Sequence, residues 1–185
     1  RFNSPYDILE GLVKNTGIRQ LGSDRYRDLV ETVAGAMEES PDCWEDVSFL
    51  IMTEGGLDYF TSVILLEALG LQEDTFRAHK ILLALIQHPD VPMKMKRTAV
   101  SVLSLAEKIP VQTVLFLQQK ASREPGLRDV ALEVLGRLAR RIPGFRDKIV
   151  LFLGETLEED LREGNTERAA DVLHALGRSG TDWKR

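Results

Sequence analysis

The side chains best suited to chemistry in this chain are three histidines and one cysteine. His79 and His88 are nine residues apart, which does not stack two imidazoles on one helix face as an i, i+4 metal-binding pair would. His174 stands far from both in sequence. Cys43 has no nearby histidine or basic cluster to lower its pKa and make it a nucleophile. We therefore interpret the histidines as surface or boundary residues and Cys43 as a small buried apolar one.

The glycine and acidic motifs do not complete a catalytic site either. The pair Gly55-Gly56 lacks the downstream Lys and Ser/Thr that a phosphate-binding loop requires. The acids of Glu38-Glu39 and of Glu158-Glu159-Asp160 are adjacent, so on a helix they point in different directions and are interpreted as solvated faces. The sequence therefore predicts a protein that is not an enzyme and has no cofactor and no metal.

The composition is that of an ordinary folded domain, with 43% apolar and 29% charged residues among 185. A net charge of −5 argues against a general nucleic-acid or anionic-membrane binder. No apolar run approaches the roughly 20 residues that span a bilayer, so we expect no membrane span. A single cysteine allows no intrachain disulfide, which favours a reducing compartment and a cytoplasmic location.

Proline, glycine and serine punctuation predicts about ten helices joined by short loops, and no strand. The predicted helices cover residues 5–16, 23–39, 42–53, 57–69, 75–88, 93–109, 111–122, 127–142, 145–163 and 166–176. No low-complexity linker divides the chain, so residues 1–185 are predicted to form a single domain.

One pattern recurs four times: Ala, two variable residues, a β-branched residue and Leu. The copies are 78–82 (AHKIL), 99–103 (AVSVL), 131–135 (ALEVL) and 169–173 (AADVL). The string VLFL also recurs, at 114–117 and 150–153, each time after an Ile-Pro. Intervals of 32 and 38 residues between the last three copies are typical of stacked helix pairs. The alternative is an irregular bundle in which Leu and Ala recur by chance.

Two segments of the second half, VALEVLGRLARRIP (130–143) and AADVLHALGRSG (169–180), resemble the second helices of HEAT repeats. The segment Glu54-Gly55-Gly56-Leu57 resembles the junction between armadillo repeats. The resemblance implies an all-α, right-handed α-solenoid of about five antiparallel helix pairs, HEAT-like over 71–185 and less regular over 1–70. It also implies a concave surface that binds a partner.

Helical periodicity predicts which residues of such an array face outward. If each motif Leu marks the centre of the buried face, two rows of outward residues follow. One row is Lys80, Ser101, Glu133 and Asp171; the other is Gln87, Lys108, Arg140 and Arg178. In the predicted helix 127–142, Arg137 also points away. The candidate partner-binding residues are thus Lys80, Lys108, Glu133, Arg137, Arg140, Asp171 and Arg178. The competing interpretation is a solvated face whose charges complement the helix dipoles.

These observations predict a non-enzymatic interaction scaffold or regulatory subunit that binds a peptide or helix of another protein. The alternative is a protein that binds nucleic-acid phosphates through Arg137, Arg140 and Arg141. The net acidity and the scarcity of nearby aromatic residues make nucleic acid the weaker hypothesis.

Overall fold

The computed structural model describes residues 11, 22–40, 42–52 and 58–180, and over these residues the secondary structure is helical, without strands. The all-α prediction is therefore confirmed for this part of the chain. The predicted first helix, apart from Gly11, and the Glu54–Leu57 junction lie outside the described residues. The nine described helices are α1 (Ser23–Glu38), α2 (Cys43–Met52), α3 (Tyr59–Gly70), α4 (Thr75–Gln87), α5 (Met93–Val102), α6 (Val111–Arg123), α7 (Pro125–Arg141), α8 (Pro143–Arg162) and α9 (Thr166–Arg178).

Side chains just before three helices explain where those helices begin. Asp58 accepts from the backbone N–H groups of Phe60 and Thr61 at α3, and Asp74 and Asn165 do the same at α4 and α9. Helices α7 and α8 begin at Pro125 and Pro143, two residues earlier than predicted. Each Pro-Gly pair lies inside its helix and not before it, because proline is favoured in a first turn, where its missing N–H has no intrahelical partner.

Helix α5 is shorter than predicted and ends at Val102 rather than near residue 109. Beyond it the backbone closes i, i+3 turns, with the Ser104 N–H donating to Ser101 and the Leu105 N–H to Val102. The Ser104 hydroxyl also donates to the Ser101 carbonyl. The buried apolar residues here recur every third position (Leu103, Ala106, Ile109), a spacing that suits consecutive tight turns as well as an α-helix.

The chain divides into two compact units, Arg1–Pro110 and Val111–Arg185. In the first unit, α1, α3 and α5 lie side by side while α2 packs on α4, which also contacts α3 and α5. The Tyr26 hydroxyl donates to Glu67 at 2.9 Å, and the Gln72 amide donates to the Ala34 carbonyl at 3.1 Å. Contacts between α1 and α3 thus advance in the same direction along both helices, so these alternate helices run parallel.

The second unit shows the same relation between α7 and α9. Asp160 of α8 bridges Arg128 and Arg168, near the starts of α7 and α9. Further along, Gly136 lies against the Ala175 backbone, where an added Cβ would be 2.4 Å from the carbonyl oxygen. The contacts between α7 and α9 therefore also run in the same direction along both helices, so these two helices are parallel. The absence of a side chain at residue 136 permits their close approach.

The four Ala-x-x-β-Leu motifs supply much of the core in both units. Leu82, Leu103 and Leu135 are fully buried, as predicted. The prediction is wrong for Leu173, which is 56% exposed. In α9 the buried face is formed by Ala169, Val172, Ala175 and Leu176. The β-branched residue of the motif therefore packs in the core, and the next residue, Leu173, points roughly 100° away from it around the helix axis.

Candidate functional site

In the first unit, the two predicted partner-binding residues are exposed. Lys80 lies on α4 and Lys108 follows the turns after α5. Lys108 stands at the rim of an open cavity of about 580 Å³. The residues that line this cavity are Glu38, Leu71, Gln72, Glu73, Thr75, Leu105, Ala106, Glu107 and Lys108. We call it the Gln72 cavity; no sequence pattern indicates it, because its wall comes from three chain segments that meet only in the fold.

In the second unit, the predicted residues lie on the packed pair α7 and α9. Arg140 and Arg178 are exposed, whereas Glu133, Arg137 and Asp171 are half-buried. An Arg178 guanidinium nitrogen is 3.2 Å from a Glu133 carboxylate oxygen, so the structure joins two residues that periodicity assigned to different rows. The Arg178 Nε also donates to the His174 Nε2 at 3.0 Å. Charge on this pair of helices is thus partly matched within the molecule.

Arginines gather around the end of α7. Arg140 and Arg141 occupy its last turn, and Arg146 follows in the first turn of α8, where its guanidinium donates to the Gly180 carbonyl at 3.0 Å. All three are exposed. We call these three residues, together with Arg137 and Arg178, the arginine surface. It presents fork-shaped donors suited to carboxylates or phosphates.

Two predictions about titratable residues prove wrong. His79 is buried rather than at the surface, and burial lowers the pKa of its imidazole to about 4. Asp160 is also buried, at 1% exposure, although its run of acids was interpreted as solvated. Its carboxylate accepts from Arg128 at 2.5 Å, and Arg128 donates as well to the Ala121 carbonyl. Helical periodicity could not reveal this pair, because its members are 32 residues apart on different helices.

Cys43 is buried, as predicted, and burial raises the pKa of its thiol to about 11. His88 is half-buried and His174 exposed. Within residues 22–40, 42–52 and 58–180, histidines, cysteine and acids form no cluster of three that could hold a metal ion. In the same part of the chain no helix has both the length and the apolar character needed to cross a membrane.

Comparison of the chain with protein-family models, with curated proteins and with solved structures gives no match.

Proposed function

We propose that this chain is a non-enzymatic α-solenoid of HEAT/armadillo type that binds an acidic peptide or helix of another protein. The parallel packing of alternate helices in each unit supports the repeat architecture, since stacked helix pairs place every second helix in one layer. Arrays of this kind expose extended rigid surfaces, and the right hand of the superhelix is part of the proposal. We also propose a cytoplasmic location, which the single buried thiol supports.

The arginine surface is the observation that carries this proposal. Its members come from α7, α8 and α9, and the close Gly136–Ala175 contact fixes α7 against α9. Exposed guanidinium groups on a rigid base lose little freedom when they bind carboxylates in a bidentate manner. Exposed leucines at the second position of both VLFL strings, Leu115 at 59% and Leu151 at 63%, add apolar contact area in the same unit.

The test is capture of a partner from the native extract, followed by titration of the purified pair. We expect the double variant Arg140→Glu and Arg141→Glu to weaken binding by a factor of about ten or more, with helicity unchanged. The matched control is Arg123→Glu with Arg162→Glu, the same charge change at exposed positions in the last turns of α6 and α8. Equal effects of the two variants would remove the arginine surface from the proposal.

The exposed Arg140 and Arg141 also support the second candidate, contact with nucleic-acid phosphates together with Arg137. Such binding would fall steeply between about 50 and 200 mM salt. We expect fluorescence anisotropy with a short DNA duplex to show negligible binding even at the lower salt. Tight, strongly salt-dependent binding that the Arg140→Glu and Arg141→Glu changes abolish would favour this second function instead.

A further inference from the structure

We propose that His174 makes the arginine surface sensitive to pH: the neutral imidazole holds the Arg178 guanidinium, and protonation of the ring releases it to the partner. This inference rests on the proposed function, because the ligand whose binding changes is the acidic peptide or helix proposed above. Histidine is the side chain whose charge ordinarily changes between about pH 5 and pH 8. We therefore expect the acidic partner to bind more tightly at pH 5.5 than at pH 8.0.

Arg178 is the member of the arginine surface that the chain itself holds from two directions. Its Nε donates to the His174 Nε2 at 3.0 Å, and its Nη1 lies 3.2 Å from a Glu133 carboxylate oxygen. A guanidinium group offers a carboxylate two forks, one formed by Nε with Nη2 and the other by Nη1 with Nη2. Each fork of Arg178 therefore contains one nitrogen that already bonds within the chain.

The protonation state of His174 decides whether the first of these forks is open. A ring nitrogen accepts a hydrogen bond only when it carries no proton, so the contact at Nε2 requires the neutral imidazole with its proton on Nδ1. In the imidazolium form both ring nitrogens are donors, and the bond from Arg178 is lost. The two cations then repel each other. Protonation thus opens the fork of Nε with Nη2 to a bidentate carboxylate of the partner.

The two side chains lie where a partner can reach them and where they can move without disturbing the core. His174 and Arg178 are one helical turn apart on α9, and both are exposed. The buried face of α9 is formed by other residues, which are Ala169, Val172, Ala175 and Leu176. Breaking the bond between His174 and Arg178 therefore changes the surface of the second unit and leaves its helix packing intact.

The other charged groups near His174 come from the three packed helices of the second unit, and all are carboxylates or guanidinium groups. Such groups ordinarily keep their charges between pH 5 and pH 8, so the imidazole is the group that responds in this range. On α9 they are Glu167 and Asp171, on the preceding turns, and Arg178; on α7 they are Glu133, which Arg178 contacts, and Arg137 and Arg140, which follow the Gly136 contact with Ala175; on α8 it is Arg146, which donates to the Gly180 carbonyl.

The experiment measures binding of an oligoaspartate peptide, labelled with a pH-insensitive dye, to the full chain by fluorescence anisotropy at pH 8.0 and pH 5.5. The peptide carboxylates ordinarily stay ionised at both pH values. We expect the dissociation constant to be about three- to tenfold lower at pH 5.5, the effect of one hydrogen bond. His174→Ala offers Arg178 no acceptor, so at pH 8.0 it should bind about three- to tenfold more tightly than the unmodified chain.

The comparison at pH 8.0 separates release of Arg178 from a simple effect of added charge. Neither alanine nor a neutral imidazole carries a charge, so charge alone predicts that His174→Ala and the unmodified chain bind equally. Equal binding would overturn the proposal. Arg178→Gln removes the regulated group and should abolish most of the pH dependence; a dependence that survives this change would also overturn the proposal.

The matched control is His88→Ala, which removes a half-buried imidazole of the first unit. It should leave the ratio of the dissociation constants at the two pH values unchanged, and a ratio that falls as much as in His174→Ala would contradict the assignment to His174. Far-UV circular dichroism at both pH values checks that each variant is folded.

The regulation and the proposed function fail in different ways. Tight binding that Arg140→Glu with Arg141→Glu weakens, but that is equal at pH 5.5 and pH 8.0, would contradict the regulation alone. No binding of the peptide at either pH would contradict the proposed function and the regulation together.

Discussion

The burial of His79 couples the stability of the first unit to pH. The pKa of His79 is about 4 in the folded chain and about 6.5 in the unfolded chain. Between these two pH values the unfolded chain therefore binds a proton at His79 and the folded chain does not. The free energy of unfolding therefore falls as pH drops from about 6.5 to about 4, by about 3 kcal/mol in total. We expect His79→Leu to flatten this dependence in urea unfolding curves.

The control for the histidine prediction is His88→Gln at a half-buried position, which should keep the slope between pH 6.5 and pH 4. The hydrogen bond from the Arg77 guanidinium lowers the pKa of Glu45 below its ordinary value of 4.5. This shift also makes the free energy of unfolding fall with pH, but only below about pH 4.5. A slope above pH 5 that survives His79→Leu would contradict the assignment.

The ion pair of Arg128 with Asp160 is a buried polar link between α7 and α8 in the second unit. Side chains of both are nearly inaccessible, at 7% and 2% exposure. Asp160→Asn leaves the arginine buried without its countercharge, so we expect a loss of about 3–5 kcal/mol in the free energy of unfolding. Glu159→Gln, one residue away and exposed, should change it by less than about 0.5 kcal/mol.

Replacing both members of the pair separates the charge effect from packing. Arg128→Met with Asp160→Leu should recover most of the loss, because an apolar pair needs no countercharge. A double variant as unstable as Asp160→Asn alone would show that the pair stabilises the unit through geometry rather than through charge compensation.

At the level of the helices, the contact of α7 with α9 depends on Gly136. An added methyl group would be 2.4 Å from a carbonyl oxygen of Ala175, which belongs to backbone and cannot rotate away. We expect Gly136→Ala to destabilise by about 1–3 kcal/mol through overpacking. Gly154→Ala on α8 has open space around its added methyl and should stabilise by about 0.5–1 kcal/mol through helix propensity.

Helix positions were largely predictable because local signals decide them. Asp58, Asp74 and Asn165 sit before α3, α4 and α9, and a capping side chain acts within three residues. The end of α5 was not predictable, since burial every third residue fits two backbone conformations. The exposure of Leu173 escaped prediction because the choice between adjacent apolar residues depends on how α9 rotates against α7.

On the scale of the whole molecule, each of the two compact units contains its own layered helices. We expect Gly136→Ala to speed native-state hydrogen exchange in α7 and α9 far more than in α3 and α5. Equal acceleration in both sets would show that the chain opens as one cooperative body, which is what the prediction of a single domain over residues 1–185 requires.

Long-range pairing limited what the sequence could predict about the candidate sites. Lys80, Arg140 and Arg178 were correctly expected at the surface because 3.6-residue periodicity reports exposure. Lys108 is exposed as well, although it lies beyond the end of α5 and not in a helix. The sequence could not predict that Arg178 would meet Glu133, that Asp160 would be buried, or that Gln72 would line a cavity. Each of these depends on side chains more than 30 residues apart.

The buried thiol of Cys43 can report on local opening of the first unit. It is the only cysteine, it lies at the start of α2, and its high pKa keeps it protonated at neutral pH. A maleimide dye can therefore react only during moments when α2 detaches, so the labelling rate counts those openings without any engineered probe. The natural sequence thus permits time-resolved study of the first unit by a single modification.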